Sequence, residues 1–345
     1  MTKLVSLIFL TLFACSSVIA SETKGVITTI QPINSLVSAV IGNTGKSISL
    51  IPAEISPHEY KLKPSDAKKL QEGNIIFYVS NHLESSVTKV FENLPKNIKI
   101  INLMEESEIN HLEIRDNEAW ERHDHHGHDD HDDHDKHGKK HDDHDDHDKH
   151  GKKHDDHDDH DKHGKKHDDH DDHEIEDDVH IWLSPDNAIK IITKVKKELS
   201  LYFPENANVY NQNATKFIAK INNLKKELTQ ELSPIKDKPY VVFHDAYQYF
   251  EKTFGLNAVG SVALEGDIAS SPKQISFIKD KIVKLKASCV FQEPQFDSKL
   301  VKIVVEGTKA QIGTLDPLGV NVSGKEDFYL QLLRNMSKSL KECLG

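Results

Sequence analysis

Residues 123–173 are built from His, Asp, Lys and Gly alone, and no fold can bury a core from them. The unit HDDHDDHDKHGKK recurs unchanged at 128–140, 141–153 and 154–166, and the fragment HDDHDDH closes the run at 167–173. With nothing apolar to remove from water, the entropy of ordering is unopposed, so the segment is expected to be a disordered insert. The fold must come from the sequence on either side of it. The insert also carries the charge: 20 Asp against 9 Lys account for −11 of the formal −12, and the rest is nearly neutral. No basic field for nucleic acid exists.

Outside the insert, short β-type runs alternate with amphipathic stretches. Residues 25–30, 47–51, 74–80 and 98–103 are rich in Val, Ile and Phe, with helical patterns over 64–71 and 83–94. A second series follows at 240–243, 258–262, 289–291 and 311–314, with helices expected near 272–285, 298–307 and 327–343. This rhythm predicts an α/β protein of two lobes, each a roughly four-stranded parallel sheet flanked by helices. Between the lobes, Ser184-Pro185 opens one helix and Pro204 stops it. From 205 to 232 apolar residues recur at intervals of three and four, predicting one long stiff helix that joins the lobes. The expected division is a leader at 1–20, an N-terminal lobe at 21–204 containing the insert, a linking helix at 205–236 and a C-terminal lobe at 237–345.

The leader reads as an export signal. Lys3 precedes a short apolar run from Leu4 to Ala14, and Val18-Ile19-Ala20 offers a cleavage site before Ser21. The competing reading lipidates Cys15. No other stretch approaches the length of a spanning helix, so membrane contact is expected only through a partner. An exported chain keeps Cys289 and Cys343, which either pair or persist as buried thiols.

In open α/β sheets ligands sit beyond the carboxyl ends of the strands. His58 follows the run ending at Ile51, and His180 marks the return from the insert. His244 ends 240–244, and Asp316 follows 311–315. Three imidazoles and one carboxylate suit four-coordinate Zn²⁺, whereas Mn²⁺ and Ca²⁺ favour oxygen-rich sites. Taken singly, a histidine after a strand is more often structural, and Asp316 also reads as the start of a turn. His82 and His111 are weaker metal candidates, and Glu59 is a candidate for orienting His58. Trp120 and Trp182 flank the insert and read as core anchors. The chain lacks HExxH, G-x-S-x-G and a phosphate-binding glycine loop, so enzyme chemistry is not expected.

The segments Pro57-His58-Glu59-Tyr60, His180-Ile181-Trp182-Leu183-Ser184-Pro185, Phe243-His244-Asp245-Ala246-Tyr247 and Thr314-Leu315-Asp316-Pro317-Leu318-Gly319 resemble the cluster A-I metal solute-binding proteins, most of all their zinc-binding members. The resemblance covers essentially the whole chain after the leader. It implies one Zn²⁺ held between the lobes by His58, His180, His244 and Asp316, and a Cys289 to Cys343 disulfide. It further implies a periplasmic monomer that serves a membrane permease and a cytoplasmic ATPase. Some zinc members carry Glu immediately before the first histidine; this chain has Pro57 there, which favours Asp316 or water as the fourth ligand. The alternatives are a binding protein for another divalent metal such as manganese, a zinc buffer, or an adhesin.

The insert histidines are His123, His125, His126, His128, His131, His134, His137, His141, His144, His147, His150, His154, His157, His160, His163, His167, His170 and His173. A plain spacer does not need histidine at that density, so labile zinc binding is expected of them. Roughly 50 flexible residues span about 40 Å r.m.s., enough to sweep the mouth of a cleft.

Overall fold

The structure is a computed structural model that describes residues 22–115, 177–263, 272–322 and 327–345. The leader, Cys15, Trp120 and the insert lie outside the described residues.

Two four-stranded parallel sheets form. In the first, β1 (Thr23–Thr28), β2 (Gly45–Ser49), β3 (Ile75–Tyr78) and β4 (Lys99–Asn102) are ordered β2-β1-β3-β4. In the second, β5 (Tyr240–Val242), β6 (Ala258–Ser261), β7 (Cys289–Gln292) and β8 (Gln311–Thr314) repeat the pattern as β6-β5-β7-β8. β3 is buried at all four positions, as expected of a central parallel strand covered by helices on both faces. In each sheet the order reverses between the first and third strands, which opens a crevice beyond their carboxyl ends.

The helices are α1 (Gln31–Ile41), α2 (Pro64–Gln71), α3 (Ser85–Thr88), α4 (Pro185–Tyr202), α5 (Ala207–Leu232), α6 (Gln248–Phe254), α7 (Pro272–Lys284), α8 (Lys299–Val305) and α9 (Phe328–Leu344). Ser184 caps α4 by accepting from the Asn187 amide, with Pro185 at the first helical position where no donor is needed. α5 runs for 26 residues, about 39 Å at 1.5 Å each. Its Tyr210, Phe217, Ile221, Leu224 and Leu228 form one buried stripe against α1, α4 and α9.

One expectation needs correction. The stretch 83–94 is not one helix, because only Ser85–Thr88 is α-helical, followed by a 3₁₀ turn at Phe91–Asn93. Glu84, just ahead of the short helix, points inward and is fully buried. Its carboxylate accepts from the Thr29 hydroxyl at 2.5 Å and from the amides of Val79 and Ser80 at 3.1 and 2.9 Å. It thereby closes the crevice between β1 and β3, and burial pushes its carboxyl up to about 7. The sequence reading also passed over α1 and α6. Gln31, Asn34 and Ser38 recur at intervals of three and four along the less buried side of α1, so its helical period was present in the sequence.

Cys289 and Cys343 are joined by a disulfide with Cα atoms 6.1 Å apart, tying the start of β7 to the last turn of α9. The link fixes the strand whose far end reaches the site described next.

Candidate metal centre

The second crevice, between β5 and β7, is not filled from within its own lobe. Just beyond β5 stands His244, 7% exposed, and just beyond β7 stands Glu293, 3% exposed. The His244 Nδ1–H donates to Glu293 Oε1 at 2.7 Å. From the other lobe comes His180, 2% exposed, at the head of the buried turn Ile181–Leu183. Its Nδ1–H donates to Asp178 Oδ1 at 2.8 Å, and the same oxygen accepts the His180 amide at 2.9 Å. With each carboxylate accepting from Nδ1, the tautomer that carries its proton there leaves Nε2 facing inward as a donor for a metal.

His58 completes the group from a loop pinned on either side of it. The Ala53 carbonyl accepts from Gln295 Nε2 at 3.0 Å, Ser86 Oγ donates to the Tyr60 carbonyl, and the Tyr60 hydroxyl donates to Asp66 at 2.5 Å. The Nε2 atom of His180 lies 3.3 Å from that of His58 and 3.3 Å from that of His244. All three ligand nitrogens fall within 4.8 Å of one another.

These distances discriminate. With Nδ1 protonated in both, His180 and His244 have no proton to share, so two lone pairs face each other at 3.3 Å, which is repulsive without a cation. Bonds of about 2.0–2.1 Å to a tetrahedral zinc give an edge of about 3.3–3.4 Å between ligand nitrogens, matching the observed spacing. The space enclosed between the rings is about 10 Å³, room for one small ion. Its wall includes Trp182, Phe296, Pro317 and Leu318, which limit access of solvent.

The electrostatics favour the same reading. Burial pushes the His58 imidazole well below its usual pKa, helped by the two neighbouring histidines, so it is held neutral and ready to coordinate. Burial likewise pushes the Asp178 carboxyl well above the usual range. A divalent cation among the imidazoles removes that penalty, and the two carboxylates behind them, Asp178 and Glu293, match its charge of +2.

Asp316 is not part of this cluster. Its Oδ1 accepts from Gln295 Nε2 at 3.1 Å and from the amides of Leu318 and Gly319 at 3.3 and 2.8 Å, and its Oδ2 from the Asn321 amide at 3.2 Å. It organises the turn, in which Gly319 adopts φ +79° and a Cβ would collide with Phe328. The Pro317 carbonyl in that turn accepts from Trp182 Nε1 at 2.9 Å, so Trp182 bridges to the opposite lobe. Glu59 is exposed, and no hydrogen bond joins it to His58 among the described residues. His82 is exposed, and His111 pairs with Asp177 at 2.9 Å; neither joins the cluster.

Asp178 and Glu293 escaped the sequence reading. The signal for Glu293 was present, since it follows β7 as directly as His244 follows β5.

A sequence model of the family described as zinc-uptake complex component A, periplasmic, matches residues 26–343. The high-affinity zinc uptake system protein ZnuA of Brucella suis is 43% identical over 331 residues, covering 96% of this chain and 95% of its own length. A mutant of the laminin-binding adhesin Lmb from Streptococcus agalactiae shares the fold at a TM-score of 0.69 and 19% identity, over 94% of this chain and 100% of that one. A crystal structure of ZnuA does so at a TM-score of 0.68 and 20% identity, over 93% and 98%.

Proposed function

The chain belongs to the family of the periplasmic zinc-uptake complex component A, and on that premise we propose that it is the zinc-capturing subunit of an ABC importer. It binds Zn²⁺ outside the inner membrane, after export directed by residues 1–20, and hands it to a membrane permease driven by a cytoplasmic ATPase. The ion is cargo and no bond is made or broken in it.

The observation that carries the reading is the set of three inward Nε2 atoms of His58, His180 and His244, two of them 3.3 Å from the third. Nitrogen donors in a small, mostly apolar cavity select zinc over oxygen-seeking cations. Water takes the fourth position while Asp316 stays in its turn. Capture is favoured because neutral imidazoles need lose no proton, and because Asp178 and Glu293 hold two of them in the binding rotamer beforehand. Two donors come from the lobe bearing β1–β4 and one from the lobe bearing β5–β8, so binding draws the lobes together and release requires them to part.

The insert histidines at 123–173 act as a labile collector, raising the local zinc concentration near the cleft. Native mass spectrometry during zinc titration, on the intact exported chain and on one lacking 123–173, tests both statements. One tight ion retained after deletion, with the weaker ions lost, supports them. Loss of the tight ion on deletion, or its retention in a His58→Ala/His244→Ala double variant, contradicts the site.

A further inference from the structure

Residues 110–115 form a strap that passes from one lobe to the other beside the histidines. Its start is fixed to α4, where the Asn110 amide donates to Asn187 Oδ1 at 2.9 Å and Asn187 Nδ2 donates to the Asn110 carbonyl at 3.0 Å. Its end is fixed to α6 and the residue after His244. The Leu112 amide donates to the Tyr249 hydroxyl at 3.1 Å, and Gln248 Nε2 donates to the Glu113 carbonyl at 3.0 Å. Arg115 grips two carboxylates at once: Nε donates to Asp245 Oδ2 at 2.8 Å, Nη2 donates to Asp245 Oδ1, and Nη1 donates to Glu251 Oε2 at 2.6 Å.

The strap and α6 also hold the backbone of Asp178, the residue whose carboxylate stands behind His180. The Asp178 amide donates to the Leu112 carbonyl at 2.7 Å, the Tyr249 hydroxyl donates to the Asp178 carbonyl at 2.9 Å, and Glu113 pairs with Asp177 in an antiparallel bridge. One continuous set of bonds therefore runs from His244's neighbour Asp245, through Arg115 and the strap, to Asp178 and His180.

We propose that Arg115 is a positioning residue for zinc, a latch between the lobes that sets His180 against His244 and governs how fast the ion is released. The proposal rests on the ion sitting among the three histidines. The pairing has the features of a strong one. The guanidinium is 19% exposed, Asp245 17% and Glu251 5%, and the contact with Asp245 is two-pronged. A fixed fork in a partly dry setting loses little to solvent and salt, unlike a single exposed ion pair. Lobe parting on this side must break the Tyr249 to Asp178 bond together with either this grip or the strap's hold on α4 and Asp178.

The test uses the full exported chain, loaded with zinc and mixed with excess chelator in a stopped-flow instrument, with the slowest phase reporting the ion among the histidines. Arg115→Ala is expected to speed that phase about tenfold, the change that losing one hydrogen-bonded charge pair produces. Arg115→Lys should fall between, because a single ammonium cannot hold both carboxylates, and Glu251→Gln should show a smaller increase. The absorption of the Co²⁺-loaded variants should keep the wild-type tetrahedral signature, since the ligands are unchanged. Release rates within twofold of wild type in all three variants would overturn the latch, even if their melting temperatures fall. If Arg115→Ala does not fold, Arg115→Lys and Glu251→Gln decide alone. A wild-type chain with neither a slow phase nor a tetrahedral Co²⁺ signature would overturn the site beneath the proposal as well.

Discussion

Removing Glu293 separates orientation from ligation, because this residue touches no ion and yet holds His244. In Glu293→Ala the His244 Nδ1–H loses its acceptor at 2.7 Å, the ring is held less firmly in its rotamer, and one of the two carboxylates behind the histidines disappears. The lost charge stands one imidazole's width, about 6 Å, from a divalent ion, which at an effective dielectric near 20 amounts to roughly 5 kcal/mol as an upper bound. Solvent relaxation and charge spread onto the ligands reduce this, and removal of such partners elsewhere costs about 10–100-fold in affinity, or ~1.4–2.7 kcal/mol. We expect the smaller range for Glu293→Ala and for Asp178→Ala. Glu293→Gln should fall nearer wild type, since its amide oxygen still accepts the proton. The assay is chelator competition at pH 7.5, fitted for the tightest site, with stoichiometry fixed by native mass spectrometry. Affinities of both alanine variants within twofold of wild type would refute the claim that these carboxylates prepare the site.

Asp316→Ala should lower thermal stability by about 1–3 kcal/mol, because it frees three amides and the Gln295 amide, while retaining the tight ion. Complete loss of that ion in a folded variant would show that Asp316 leaves its turn to coordinate. Reducing the disulfide opens a loop set by a sequence separation of 54, worth about 4 kcal/mol in the chain-entropy model, so α9 should loosen from β7 and the melting temperature should fall. Native protein in which both cysteines react with thiol reagents would contradict the pairing. On acidification from pH 7.5 to 5.5 the insert should release zinc first, because its histidines protonate near 6.5 and then repel cations. The folded-state pKa of His58 lies below 6.5, so protons begin to compete there only at lower pH. The same shift means that the zinc-free fold loses stability as pH falls through 6.5, where the unfolded chain takes up a proton that the fold refuses. Simultaneous release of all ions across that range would show that the two kinds of site do not differ as described.

What the sequence disclosed followed from periodicity and from polar residues at the ends of β runs. β3, β7 and α5 are long or apolar enough to stand out, and His244 lies just after an unmistakable strand. α1 carried a legible signal in Gln31, Asn34 and Ser38, spaced at three and four, beside its buried apolar residues. In the 83–94 stretch Glu84, which any amphipathic pattern assigns to solvent, is spent inside closing a crevice. The histidines could be listed from the sequence and their convergence could not, since His58 and His180 are 122 residues apart and meet only through loop geometry. Asp316 carries both of its readings in one motif, and only its hydrogen bonds separate turn from ligand. Arg115 had no sequence signal at all: its value lies in two carboxylates 130 and 136 positions away.

The central claim is that one zinc ion sits among His58, His180 and His244. Anomalous diffraction at the zinc edge from crystals of the loaded chain tests it directly. The account predicts a single strong peak between the lobes, about 2.0–2.1 Å from each of the three Nε2 atoms, with a water oxygen completing a tetrahedron. A loaded chain whose only peaks lie away from this triad, or whose ion is bound without one of the three imidazoles, would contradict it.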